Sequence, residues 1–316
     1  MSAAASSLRA RSWAPLLVVS VVCNGLAAGI WKHTATDVRT FCVLFVTDKV
    51  IVNGGLWAWR GRRSLSDRAS RPFLSAALLA AVLNGLAWIA YFIAFERGPL
   101  AMVQTITSAY TAVAAVLALL FLREHLSRAQ AAGVALVVAA GMVSCYAAEA
   151  PAVGGHGLGW LWASFAAAAT WGAASVVAKH AYGLPRADDP RFFLAHTLGL
   201  AITILPYGLS RAPAEPRGMI GAAATLAVVL LYVAADLGFF AAVARGPASI
   251  VNPLAGLYPM VSIAYAVLVL GDAPDPLGIL CLAMVLPGVM LAVPGAMEPM
   301  TLLWARLALG SRRDRG

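Results

Sequence analysis

Few side chains in this sequence can do chemistry, and those few sit inside apolar runs. Asp48 and Lys49 are adjacent near the middle of one such run. Starting that run after Lys49 would leave only Val50–Trp59, too short for the roughly 20 residues a bilayer span needs. An ionisable group at that depth costs about 2.5–3.5 kcal/mol on insertion scales, so it calls for a partner or a water-filled space. Asn84, Trp88 and Tyr91 follow at i, i+4 and i+7 and therefore share one helix face. At a constant offset of 148 residues the same stripe recurs as Tyr232, Asp236 and Phe239. Two copies of one polar-aromatic stripe are the strongest candidates for lining a substrate cavity. The competing reading is Trp and Tyr packed between helices or at the membrane interface. Gln104, with Thr107, Ser108 and Thr111, and Asn252, with Gly256 and Pro259, form further polar faces. These either line the cavity or bond helix to helix, as Ser and Thr often do.

Lys49 has several open roles: it meets a substrate carboxylate, pairs with Asp236, forms a purely structural ion pair or snorkels. At an offset of 147 its counterpart is His196, and Lys32-His33 aligns with Lys179-His180. The two lysines Lys32 and Lys179 are expected to snorkel at the interface. Asp48, Asp236 and His196 are the candidates for coupling to an ion. No catalytic residue is assigned: the chain has no Gly-x-Ser-x-Gly, no His-Glu-x-x-His and no phosphate-binding loop. No metal site and no cofactor are expected. Cys23, Cys42, Cys145 and Cys281 lie in apolar runs without paired spacing, which argues against disulfides and zinc.

The elements that must position these residues are helices in a duplicated chain. The stretch from Tyr91 to Tyr146 repeats: Arg97-Gly98-Pro99 meets Arg245-Gly246-Pro247, Val103 meets Val251, Tyr110 meets Tyr258 and Met142 meets Met290. A register held through two helices marks a repeat. The apolar runs give an all-α integral membrane fold of ten transmembrane helices. The first five are Trp13–Trp31, Phe41–Trp59, Phe73–Phe95, Leu100–Leu122 and Ala129–Ala148. The second five are Leu158–Ala178, Phe192–Leu209, Met219–Val243, Ala248–Leu270 and Leu277–Val293. Residues 1–150 form the first repeat, 151–298 the second and 299–316 a basic cytoplasmic tail. Pro253 and Pro259 predict a kinked or unwound ninth span, whose freed carbonyls face a cavity. The N-terminal run resembles a signal peptide, but its match at Leu158–Ala178 favours a retained span. Gly25 and Gly29 predict close helix packing.

Composition supports a membrane protein. Of 316 residues 61% are hydrophobic and 12% charged, against about 25% charged in soluble domains. The net charge of +9 does not imply nucleic acid, because the basic residues flank spans. One side collects Arg9 and Arg11, the Arg60–Arg71 cluster, Arg123 and Arg128, Lys179, Arg186 and Arg191, Arg245 and the C-terminal arginines. The other holds Lys32, Arg39, Arg97, Arg211 and Arg217. The positive-inside rule then puts both termini in the cytoplasm. Five spans per repeat is an odd number, so the second repeat crosses the membrane upside down. Its fourth-to-fifth connector carries Asp272 and Asp275 where the first carries Arg123 and Arg128. Two inverted five-helix repeats are typical of alternating-access carriers.

Two five-span repeats, the Gly98-Pro99 break and the turn Arg123-Glu124-His125-Leu126…Gln130…Gly133 together resemble the EamA-type branch of the drug/metabolite transporter superfamily. The second repeat departs at that turn, with Asp272 for Glu124 and Cys281 for Gly133. The resemblance implies a small-metabolite carrier in the cytoplasmic membrane, often an exporter, with some members preferring aromatic amino acids. The expected partners are a small-molecule substrate and the lipid bilayer, with the protein a monomer or homodimer. A flippase for a lipid-linked headgroup is the rival, predicting a lateral opening. A membrane-embedded enzyme is a more distant one. The turn residue Glu124 is expected to form a cap or a salt bridge with Arg128.

Overall fold

The computed structural model describes residues 3–34, 37–60, 67–98, 103, 106–147, 159–212, 219–269, 271 and 276–292. Gln104, the connector with Asp272 and Asp275, and the tail from residue 299 lie outside them, as do the side chains of Lys32, His33, Cys145 and Cys281. Every described element is helical. The first half contributes α1 (Ala3–Thr34), α2 (Val38–Trp59), α3 (Arg71–Arg97), α4 (Tyr110–Phe121) and α5 (Arg128–Ala147). The second contributes α6 (Gly159–Tyr182), α7 (Asp189–Leu209), α8 (Met219–Arg245), α9 (Ala248–Ala255), α10 (Tyr258–Val269) and α11 (Pro276–Ala292).

Among the described residues seven helical stretches are long and apolar enough to cross a membrane, and the apolar helices at Ile106–Phe121, Arg128–Ala140 and Ala283–Ala292 are shorter. Local chemistry sets several helix ends. Asp37 Oδ1 accepts from Thr40 N at the start of α2 and Asp188 Oδ1 from Arg191 N at the start of α7, the usual way to satisfy free N-terminal amides. Ser127 and Gln130 bond reciprocally before α5, a capping box.

The packing repeats when the halves are exchanged. Helix α3 lies on α6 and α7, and its counterpart α8 lies on α1 and α2; α4 packs on α6 as α10 packs on α1. Helices α2 and α7 and α5 and α11 each pair with their own counterpart, and α4 of the fourth span packs on α9 of the ninth. The close approaches match residue by residue. A Cβ on Gly25 would strike Val261, and one on Gly172 would strike Val113. A Cβ on Gly98 would strike Trp160, and one on Gly246 would strike Trp13. Gly29 faces Tyr265, so the Gly25/Gly29 pair does let α1 and α10 meet closely. Lipid is as apolar as Leu, so such contacts and buried hydrogen bonds hold the bundle together.

The expected break in the ninth span falls at Gly256–Leu257, between α9 and α10. The fourth span breaks at the matching place, Ala109, although no proline stands nearby. Gly256 packs there against Thr111, whose hydroxyl donates to Ser108 O (3.0 Å). The side-chain donor and the close crossing take the place of proline.

Candidate functional site

The polar side chains meet where α2, α3, α6, α7 and α8 converge. Lys49 Nζ lies 2.7 Å from Asp236 Oδ2, off the hydrogen-bond direction, so the contact is an ion pair. It joins the two halves. Its members differ in access: the Lys49 side chain is 1% exposed and that of Asp236 23%. The Phe45 ring lies beneath the ammonium, 4.9 Å from centroid to Nζ. Asp48 does not share the pair; it is buried and its Oδ2 has no hydrogen-bond partner among the described residues. Successive helical residues point about 100° apart, which sends the two charges of α2 in different directions.

Asn84 anchors a second group. Its Oδ1 accepts from Trp171 Nε1 (2.9 Å), and its Nδ2 lies 3.0 Å from His196 Nε2. An indole N–H only donates, so the Asn84 oxygen must face Trp171 and its NH₂ must face the histidine. His196 Nε2 then accepts and the proton of the neutral ring sits on Nδ1, assigned from the surrounding donors. That Nδ1 is buried and without a partner among the described residues. His196 also stacks on Phe192 and meets the tilted ring of Phe240.

Aromatic rings pack beside these polar groups. Trp88 meets Trp171 and Tyr232 edge-on at 5.5 and 5.9 Å and touches Tyr91 and Phe41. Tyr91 and Tyr110 both reach Trp171, at 5.5 and 6.0 Å, and Trp31 meets Tyr232. Edge-to-face contacts suit the ring quadrupole and add to packing. The stripe residues Asn84, Trp88, Tyr91, Tyr232 and Asp236 therefore gather with Lys49 and His196. Asn252 lies apart: Ser175 Oγ donates to its Oδ1 (2.7 Å) and its Nδ2 donates to Ala248 O (2.8 Å). The sequence reading missed Trp171, which fixes the Asn84 amide. A tryptophan in mid-span, away from the interfacial belts where this residue concentrates, was the available signal.

A polar cluster closes one end of the bundle. The carboxylate of Glu124 accepts from Ala248 N (2.9 Å), Ser249 N (2.8 Å) and Ser249 Oγ (2.6 Å). It thus serves as a cap, and the helix it caps is α9 in the other half. Arg123 just before it has φ 53°, which turns the chain at the end of α4. Lys179 does not snorkel: its Nζ donates to Val243 O (2.9 Å) and Gly246 O (2.7 Å), the free carbonyls ending α8. Anion at a helix start and cation at a helix end both suit the helix dipole. Arg245 pairs with Asp189 beside them (2.6 Å). At the opposite end Arg211 bonds Glu96 at 3.0 Å and the Tyr207 hydroxyl; the phenol bond raises the already high pKa of the guanidinium.

A sequence model of the EamA-like transporter family matches residues 11–145 and again 157–293. A crystal structure of a protein is similar over 93% of this chain and 99% of its own, with a TM-score of 0.71 and 19% identity, a likeness of fold. No curated protein matches the sequence. The two family matches fall on the two packed halves, and the chain is an integral membrane protein that belongs to the EamA-like transporter family.

Proposed function

We propose that the protein is a secondary transporter that moves a small metabolite across the cytoplasmic membrane by alternating access, with export favoured. Ten spans form two inverted five-helix repeats that rock about the Lys49–Asp236 site, and both termini are cytoplasmic. The observation that carries this reading is the antiparallel contact of equivalent elements. Arg39 at the start of α2 donates to Arg211 O beyond the end of α7. Glu124 beyond the end of the fourth span binds the first amides of the ninth, its equivalent. Equivalents that meet head to tail are what an inverted pair requires, and substrate sites of such carriers lie between the repeats at mid-depth. The cavity wall consists of Asn84, Trp88, Tyr91, Tyr232 and Asp236, with Trp171 added. Gln104 is kept as a candidate from its register. Asn252 serves the fold, since its amide is used within the bundle.

The test compares metabolites in the medium of cells that overproduce the protein, lack it, or carry Asp236→Asn. A solute that rises with overproduction and falls back with the variant supports the reading. Identical media in all three, with the protein in the membrane, would count against it.

A further inference from the structure

The clasp at the end of the bundle joins parts that a rocking carrier has to separate. Helix α9 is short, with eight buried residues, and a break bounds it on each side, at Gly246-Pro247 and at Gly256–Leu257. Lys179 donates to the last carbonyls of α8, and Glu124 accepts from the first amides of α9. The first break is thus gripped by a cation on one side and an anion on the other, each the sign its helix end favours. The two grips differ in origin. Lys179 belongs to the same half as α8, so its bonds survive a movement of one half against the other. Ser175 with Asn252 and Arg245 with Asp189 are likewise internal to the second half. The bonds of Glu124 cross from one half to the other, as does the ion pair of Asp67 with Arg186. That ion pair is exposed, and water and salt screen it. The Glu124 carboxylate is half-buried and takes three donors.

The layer between the centre and the clasp is closed. Trp171, Ser175 and Lys179 follow one another at intervals of four on one face of α6, so Ser175 lies between the Asn84 group and the end of α8. Ser175 is 2% exposed, and Asn252 and Ser249 are 0%. Ala118 of α4, Val176 of α6 and Ala248 of α9 pack there as an apolar seal across the halves. Trp171, Tyr91 and Tyr232 at the centre are only half-buried.

We infer, on the footing of the carrier reading above, that Glu124 is a latch. Its carboxylate keeps the centre shut towards the cytoplasm by pinning α9 across the halves, and its release opens that side. Charge-assisted bonds to three donors are strong enough to bias an element with two positions. A half-buried carboxylate in a turn regains water when it lets go, so holding and release lie close in free energy. A deeply buried charge has no such exit.

Ser175→Cys is the reporter, because a thiol keeps the small volume and a weak donor for Asn252. A charged, membrane-impermeant methanethiosulfonate is applied to inside-out and to right-side-out vesicles holding the full chain. The same proteins without the reporter give the background of the native thiols. With Glu124 in place the reporter labels slowly from both faces. Glu124→Ala speeds labelling from the cytoplasmic face at least about tenfold, as the loss of a charged cap requires, and leaves the outer face slow. Glu124→Gln and Ser249→Ala each keep part of the bonding and speed it about two- to fivefold from the same face. They decide the matter if Glu124→Ala fails to reach the membrane. Asp67→Asn, which removes the exposed pair, changes the rate less than about twofold.

Labelling that rises from both faces marks a merely loosened protein and overturns the inference. So does labelling that none of the Glu124 and Ser249 changes alters, or that rises from the outer face alone. A solute whose level in the medium follows the protein, with labelling indifferent to Glu124, sinks the latch alone. Labelling that rises only from the cytoplasmic face, with no solute moved, sinks the carrier reading and leaves the latch standing.

Discussion

The two halves of the molecule agree in their frame and disagree at their centre. Trp13 packs on Gly246 as Trp160 packs on Gly98, and Gly25 meets Val261 as Gly172 meets Val113. At the centre the equivalents of Asn84 and Trp88 are Tyr232 and Asp236. One half brings an amide that orients Trp171 and His196; the other brings the carboxylate that holds Lys49. Duplication kept the close approaches on which helix crossing depends and let the chemistry diverge. On the carrier reading proposed above, a solute between the halves would meet two unlike walls and take one orientation.

The largest effect tests the chemical asymmetry. Asp236→Asn strands the ammonium of Lys49 in a dry site, and losing one partner of a buried pair costs about 3–5 kcal/mol. Lys49→Met leaves a carboxylate that is less buried than the lysine, so its cost is smaller, roughly 1 kcal/mol. Unfolding in detergent against a graded denaturant reads both. The double variant, with no stranded charge, regains most of what Asp236→Asn loses. Equal losses from the two single changes would mean that the pair is equally buried on both sides.

The frame is tested by paired overpacking. Gly98→Ala pushes a methyl to 2.7 Å from the Trp160 ring, and Gly246→Ala to 2.8 Å from that of Trp13 and 2.7 Å from Val251. Overpacking of this kind costs about 1–3 kcal/mol. The two losses should agree within about 0.5 kcal/mol, the scatter of independent sites. Trp160→Leu should relieve only Gly98→Ala, and Trp13→Leu should relieve only Gly246→Ala, in part, since Val251 stays in contact there. A large loss at one glycine and none at the other would break the equivalence of the halves.

Between these lies the clasp at one end. Glu124→Gln exchanges a carboxylate that takes two backbone amides and a hydroxyl for a neutral amide. Bonds to a charged group are worth about 1.5–3 kcal/mol, and part of that survives in glutamine, so the loss is about 1 kcal/mol. Hydrogen exchange at Ala248 and Ser249 locates it. Faster exchange confined to those amides is the expected signature; unchanged exchange would remove Glu124 from the cap.

Much of this was legible in the sequence, and what was not has physical causes. The constant offset gave the frame, because close approaches conserve small and large residues at fixed register, as at Gly98 and Trp160. The i, i+4, i+7 stripe found Asn84, Trp88 and Asp236, because charges in apolar helices have few places to go. The partner of Glu124 was not legible: a carboxylate in a turn can cap any helix start that folding brings near, and α9 is more than a hundred residues away. Lys179 failed for the same reason, since carbonyls at the end of α8 offered more than the interface. The role of Trp171 needed the Asn84 oxygen fixed in space. The break in α4 lacked its usual proline and came from a crossing with Gly256.

The smallest effect asks whether charges at the ends matter as those at the centre do. Asp67 accepts from Ala69 N (3.1 Å) and pairs with Arg186, which holds the exposed carboxyl below its usual range, chiefly through the backbone bond and then through the arginine. Arg186 has φ 62°, so a left-handed turn aims it at this contact. A carboxyl with a lowered folded pKa adds stability at neutral pH, and that share is lost as pH falls from the ordinary value near 3.9 through the lowered one. Asp67→Asn should therefore melt slightly below the unaltered protein at pH 7 and level with it once both carboxyl states are protonated. Water and salt screen an exposed pair, so adding about 0.5 M salt at pH 7 should close the same small gap. Salt should leave the Asp236→Asn deficit in place, because screening does not reach Lys49. A deficit at Asp67 as large as that at Asp236, or one at Asp236 that salt erases, would reverse the ranking of centre over ends.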